Sequence, residues 1–111
     1  MVYVDELFWQ WKGELWCHMA ADNLLELQEF AARFLNPNWI QLPPKTRYPH
    51  FDLNYSKRAK AVKLGAMEVP MRDMVAIAKN LRVEFYSMRA GKTDSALDRA
   101  LRRRNPELIT R

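Results

Sequence analysis

Between Pro49 and Arg58 the chain gathers an imidazole (His50), a carboxylate (Asp52), a phenol (Tyr55), a hydroxyl (Ser56) and two cations (Lys57, Arg58). His18 and Asp22 lie upstream, and the chain has no third histidine. Two imidazoles with two carboxylates form the donor set of a divalent metal site, or they divide the base and acid roles of a hydrolytic reaction. Lys57 and Arg58 have another use, because an ammonium and a guanidinium both contact phosphate oxygens, and Tyr55 and Ser56 can donate beside them. A helix starting here would add unpaired backbone N–H groups and the positive end of its dipole. His18, His50 and Asp52 are therefore the candidate catalytic or metal-binding residues, and Tyr55, Ser56, Lys57 and Arg58 the candidate ligand-binding ones. Each also has a plain structural use. Asp22 caps a helix, His18 ends a strand as a hydrogen-bonded histidine, His50 and Asp52 brace a turn, and Lys57 and Arg58 join Lys60 and Lys63 on a solvated face. No compact His-Glu-x-x-His motif is present.

The elements that must position these residues can be read from periodicity and punctuation. Val2 to Asp5 and Leu15 to Met19 are β-branched or aromatic runs that predict strands. Asp22 is placed to cap a helix carrying Leu24, Leu25, Leu27, Phe30, Ala31 and Phe34, which stops at Asn36-Pro37. Trp39 to Leu42 resembles a third strand, and the prolines at 43, 44 and 49 predict an irregular loop leading into the candidate site. A second helix is expected from Asn54 or Ser56 to the cap at Gly65, then a strand over Ala66 to Val69. Pro70 opens a third helix with Met71, Met74, Val75, Ala78 and Leu81 on one stripe. Phe85 and Met88 continue that stripe, while Val83, Phe85 and Tyr86 also read as a strand, so periodicity leaves residues 82–92 open. A last amphipathic segment, capped by Thr93 or Asp94, predicts a basic helix from about residue 92.

Strands alternating with helices predict one α/β domain over residues 1–111, with a mostly parallel sheet of about four strands flanked by helices. In such folds ligands sit beyond the carboxyl ends of the strands, which would bring His18 and Asp22 toward the loop carrying His50 and Asp52.

The net charge of +5 is unevenly spread: residues 1–44 carry −4, residues 45–63 carry +5, and residues 81–111 carry +4. Such a distribution favours polyanions, whether nucleic acid or the acidic face of a protein, and also suits a solvated basic surface. Arg99, Arg102, Arg103 and Arg104 fit phosphate binding and the negative end of a helix dipole equally well. Phe8, Trp9 and Trp11 could stack on bases, although large aromatics dominate core burial and at least two of the four tryptophans are expected in the core or as its lid. Cys17 has no cysteine to pair with and sits in an apolar strand, so it is expected to be inert. Charges within the first fifteen residues exclude a signal-peptide core, and no later apolar run approaches a membrane span, so a cytoplasmic protein is expected. Gly13, Gly65 and Gly91 stand apart, which argues against a glycine-rich phosphate loop.

The ordered motifs Val2-Tyr3-Val4-Asp5, Trp16-Cys17-His18-Met19 with Asp22, Pro49-His50-Phe51-Asp52-Leu53, Ser56-Lys57-Arg58 and Leu64-Gly65-Ala66 resemble a family of small bacterial and phage proteins classified only as a domain of unknown function. The resemblance covers about residues 2–70 and implies a bacterial or phage origin and a shared fold. The residues themselves lead to a domain binding a phosphate-bearing ligand, nucleic acid or nucleotide, with a divalent metal as the candidate cofactor of a phosphoester hydrolase or nuclease. The rival expectation is a non-enzymatic interaction protein that docks its basic face on an acidic partner.

Overall fold

The chain folds around an eight-residue strand that is paired on both edges. In the computed structural model, which describes residues 1–90, the strands are β1 (Val2–Val4), β2 (Trp9–Trp11), β3 (Glu14–Ala21), β4 (Phe51–Asn54) and β5 (Met67–Glu68). The helices are α1 (Leu24–Ala31), α2 (Tyr55–Lys63) and α3 (Met71–Arg89), with a 3-10 turn at Pro37–Trp39. Met19 faces both Val4 and Phe51, and Trp16 faces both Trp9 and Asn54. β1 and β2 therefore share one edge of β3, and β4 takes the other. Only β5, beside β1, runs parallel to its neighbour.

The sheet is thus mixed and largely antiparallel, which corrects the expected mostly parallel arrangement. The physical reason lies in short connections. Lys12 (φ 52°) and Gly13 (φ 76°) make a two-residue turn with both residues left-handed, the geometry whose twist matches a hairpin. The strand Trp9–Trp11 precedes this turn, where the sequence pattern predicts none. Trp39 to Leu42 forms no strand: it supplies the 3-10 turn and a single bridge, Gln41 to His50, with Ile40 and Leu42 buried. Residues 51–54, expected in a loop, are instead the strand β4, because Phe51 and Leu53 alternate with Asp52 and Asn54 and go into the core.

Between Val4↔Met19 and Trp9↔Trp16 the chain advances five residues on one strand and three on the other, so a two-residue bulge separates β1 from β2. At its start Asp5 sends its N–H to the His18 carbonyl, as a ladder residue should. The return bond is different. His18 N–H donates to Asp5 Oδ1 at 2.6 Å, while the Asp5 carbonyl turns away and accepts from Arg58 Nε at 2.8 Å.

α1 buries Leu24, Leu27, Gln28 and Ala31, and its cap is Asn23, whose side chain accepts from the Glu26 N–H. Asp22, expected as that cap, instead accepts from the Tyr3 hydroxyl and pairs with the N-terminal amine. α2 is capped by Asn54, which accepts from the Lys57 N–H. α3 buries Met74, Ala78, Leu81, Phe85 and Met88 at spacings of four and three, so the helical stripe overrides the β propensity of Val83 to Tyr86. Among the described residues no helix is long and apolar enough to cross a membrane. The basic C-terminal segment and its arginines lie outside the described residues.

Candidate functional site

Alternation along β3 and β4 divides the side chains cleanly. Cys17, Met19, Phe51 and Leu53 point into the core, so His18 and Asp52, directly paired across the two strands, point the other way. His50 precedes Asp52 by two residues and therefore shares its face. Asp5 continues the β1 register onto His18, so Asp5, His18 and Asp52 form a row across three strands.

The hydrogen bonds fix both imidazoles. His18 Nδ1 lies 2.9 Å from Asp5 Oδ2, whose other oxygen already holds the His18 N–H. Asp5 is fully buried, so these partners replace its water. His50 Nδ1 lies 2.7 Å from the Tyr48 carbonyl, which has no proton to give, so Nδ1 is the donor. Both rings are thereby left with Nε2 as the free donor atom, the arrangement in which histidine binds metal with its other nitrogen oriented by a carboxylate or carbonyl. His50 Nε2 stands 3.2 Å from Asp52 Oδ1. The rings of His18 and His50 meet edge to face at 5.0 Å, and one ligand atom each from His18, His50 and Asp52 fall within 4.8 Å of one another. A tetrahedral site with bonds of about 2.0 Å has ligand–ligand edges of about 3.3 Å. The His50–Asp52 pair, at 3.2 Å, already has that spacing.

Two spaces adjoin this cluster. A cavity of about 260 Å³ runs between Asp5, His18, Tyr48 and His50 and the α3 residues Met74 and Ala78, so α3 covers the histidine face with apolar groups. On the other side a groove of about 640 Å³ is walled by Trp11, Trp16, Trp39, Lys12 and Lys57, with Asp52 at its edge. Trp9 lies over His18 at 4.8 Å between ring centres.

A family model described as "Protein of unknown function (DUF4031)" matches residues 2–81, most of the chain and all four of Asp5, His18, His50 and Asp52. The chain belongs to the DUF4031 family. No curated protein and no solved structure matches it. The match supports the expected domain of unknown function and extends to Leu81, beyond the 2–70 span of the resemblance.

In this DUF4031 chain the residues singled out by sequence separate into groups. His18, His50 and Asp52 come together on a sheet face, not beyond strand ends. Asp22 leaves the constellation: it sits past the far end of β3, its carboxyl held below the usual range first by the Tyr3 hydroxyl bond. Lys57 is half-buried and lines the aromatic groove, whereas Tyr55 (69% exposed) and Ser56 face solvent. Arg58 turns inward to the Asp5 carbonyl and to Glu68 Oε1 at 3.0 Å. Cys17 is buried, and burial pushes its thiol up to about 12, consistent with an inert core cysteine. None of the four tryptophans lies in the core: Trp9 and Trp16 are half-buried, and Trp11 and Trp39 are exposed. Sequence reasoning missed Asp5. The available signal was an acid ending a β-branched strand, a position where an unpaired carboxylate would be costly.

Proposed function

We propose that this protein is a divalent-metal-dependent phosphoester hydrolase acting on a nucleotide or nucleic acid, with His18, His50 and Asp52 as metal ligands. One observation carries the reading. With its Nδ1 proton committed to Tyr48, His50 presents a lone pair at Nε2 to an acceptor, Asp52 Oδ1, only 3.2 Å away. Two acceptors at that distance repel unless a cation lies between them, either a second proton on His50 or a metal ion. A third oriented donor, His18, beside the pair favours the metal. Imidazole donors suit zinc, iron, cobalt and nickel, and a set of three protein ligands leaves positions for water and a phosphoryl oxygen.

Such an ion would polarise the phosphoryl group and ease deprotonation of water. In the hydrolysis, the water oxygen bonds to phosphorus as it gives up a proton. The ester P–O bond breaks, and its electron pair leaves on the alcohol oxygen, which takes up a proton. Asp5 acts as a positioning residue that keeps the His18 Nε2 free, and Lys57 and Lys12 offset phosphate charge from the groove. The rival docking module has its own support in the cluster of Lys45, Arg47 and Arg82 around a shallow groove. Electrostatic docking, however, has no use for two histidines with anchored Nδ1 atoms.

Calorimetric titration of the metal-free protein with Zn²⁺, Co²⁺ and Mn²⁺, followed by turnover of a chromogenic phosphodiester, tests the reading. Binding of one ion per chain is expected, lost in His18→Ala with His50→Ala while the circular dichroism is unchanged. Absence of binding by the wild type rejects the metal centre. Binding without turnover rejects the hydrolase.

A further inference from the structure

We infer that the groove beside Asp52 receives an unpaired nucleobase, which makes single-stranded nucleic acid the ligand of this protein; the inference deepens the hydrolase reading and rests on it for the chemistry at Asp52. Its first support is the placement of the indoles. Trp11 and Trp39 are 53% and 57% exposed, yet with Trp16 they wall one groove instead of lying scattered. Exposing so much aromatic surface costs a small domain burial energy, and clustering it in a concave site is the mark of a binding surface.

The second support is that the walls are pre-set. Trp16 Nε1 donates to the Trp11 carbonyl at 3.0 Å, and the two rings meet edge to face at 5.5 Å. Trp11 sits at the end of β2 beside the hairpin turn, so its ring is carried by paired backbone. A flat π surface entering this groove finds indole faces already placed, and every base offers one.

The third is charge. Lys12 Nζ lies over the Trp11 ring at 4.5 Å from its centre, and Lys57 lines the same groove. Ammonium groups beside aromatic faces fit a base with its phosphate. A paired duplex hides its base faces within the stack, and so cannot use the indoles. Asp52 at the groove edge ties the base site to the histidine cluster, so a bound nucleotide would lie with its phosphate next to the proposed metal ligands.

Fluorescence anisotropy of a labelled single-stranded oligonucleotide, measured in chelator, tests this without cleavage and without the metal. The competitors are the same sequence as a duplex and an oligonucleotide of equal length that is abasic throughout its centre. Single strands are expected to bind at least tenfold more tightly than either. Trp39→Ala and Trp11→Ala should each weaken binding by roughly five- to a hundredfold, with Trp→Phe at the same positions restoring most of it. Equal affinity for the abasic strand or the duplex, or unchanged affinity in both alanine variants, overturns the inference. That failure would leave ion binding at His18 and His50 as it was, whereas failure of the metal reading would leave oligonucleotide binding in chelator as it was.

Discussion

The two faces of β3 and β4 are built from alternate residues of the same strands and have opposite chemistry. One face carries Cys17, Met19, Phe51 and Leu53, all essentially without solvent contact. The other carries His18, His50 and Asp52, partly open and held by hydrogen bonds to Asp5 and Tyr48. A strand has a side-chain period of two, so a one-residue slip of β4 against β3 would exchange the two sets. The core face therefore fixes the register, and the register fixes the site. Stability and chemistry share a backbone here but not side chains, and substitutions should separate them.

The largest effect belongs to the core face. Phe51→Ala should cost about 3–5 kcal/mol in urea unfolding, since Phe51 is 1% exposed and its neighbours are packed around it. Asp52→Ala, the next residue, should stay within about 1 kcal/mol of wild type in the same measurement while abolishing metal binding. Comparable losses of stability at both positions would break the contrast between the faces.

Asp5→Asn comes next. The amide can still accept the His18 N–H, but its other end donates where Nδ1 also donates, so the His18 proton is driven to Nε2. Metal affinity should fall about 10–100-fold by calorimetry in protein that remains folded. A loss confined to folding, with metal affinity intact, would reduce Asp5 to a structural role.

Much of the histidine cluster was legible because its members are of rare types, with only two histidines in the chain. Their meeting was inferred from the wrong architecture. Alternating strands and helices suggested parallel crossovers, while the hairpin at Lys12-Gly13 and the pairing of β4 with β3 make the sheet largely antiparallel. Asp52 and His18 are therefore cross-strand partners, not loop neighbours. The role of Asp5 and the gathering of Trp11, Trp16 and Trp39 in one groove were not legible, although base stacking by Trp11 was, because one depends on a bulge that turns a carbonyl away and the other on a concavity formed by distant segments. The helix of residues 71–89 was readable in its first half, and its second half was settled only by the buried Phe85 and Met88.

A smaller effect tests the turn that sets the groove. Gly13 has φ +76° with open space around its missing side chain, so Gly13→Ala meets backbone strain alone and should cost about 1–2 kcal/mol. If the turn positions Trp11, that variant should also weaken single-strand binding. Unchanged binding would show that the indole wall does not depend on the hairpin.

The smallest effect concerns Glu84, which gives Asp5 its counter-case. Both acids accept a backbone N–H from a neighbouring element: Asp5 from His18, and Glu84 from Leu24 at 2.9 Å. Asp5 also holds an imidazole, whereas among the described residues Glu84 has that one bond to offset burial, and its pKa is raised by desolvation with the Leu24 N–H pulling the other way. Ionised Glu84 is thus less favourable in the folded protein than in the unfolded chain, and stability declines as pH rises from the ordinary carboxylate range through the raised value. Glu84→Gln keeps an acceptor for Leu24 without the charge. Its Tm should therefore exceed that of wild type at neutral pH, and the two should converge as acid protonates Glu84 in both states. A Gln variant that melts lower at neutral pH would show that the charge strengthens the Leu24 bond by more than burial costs, and that both carboxylates are held by their partners in the same way.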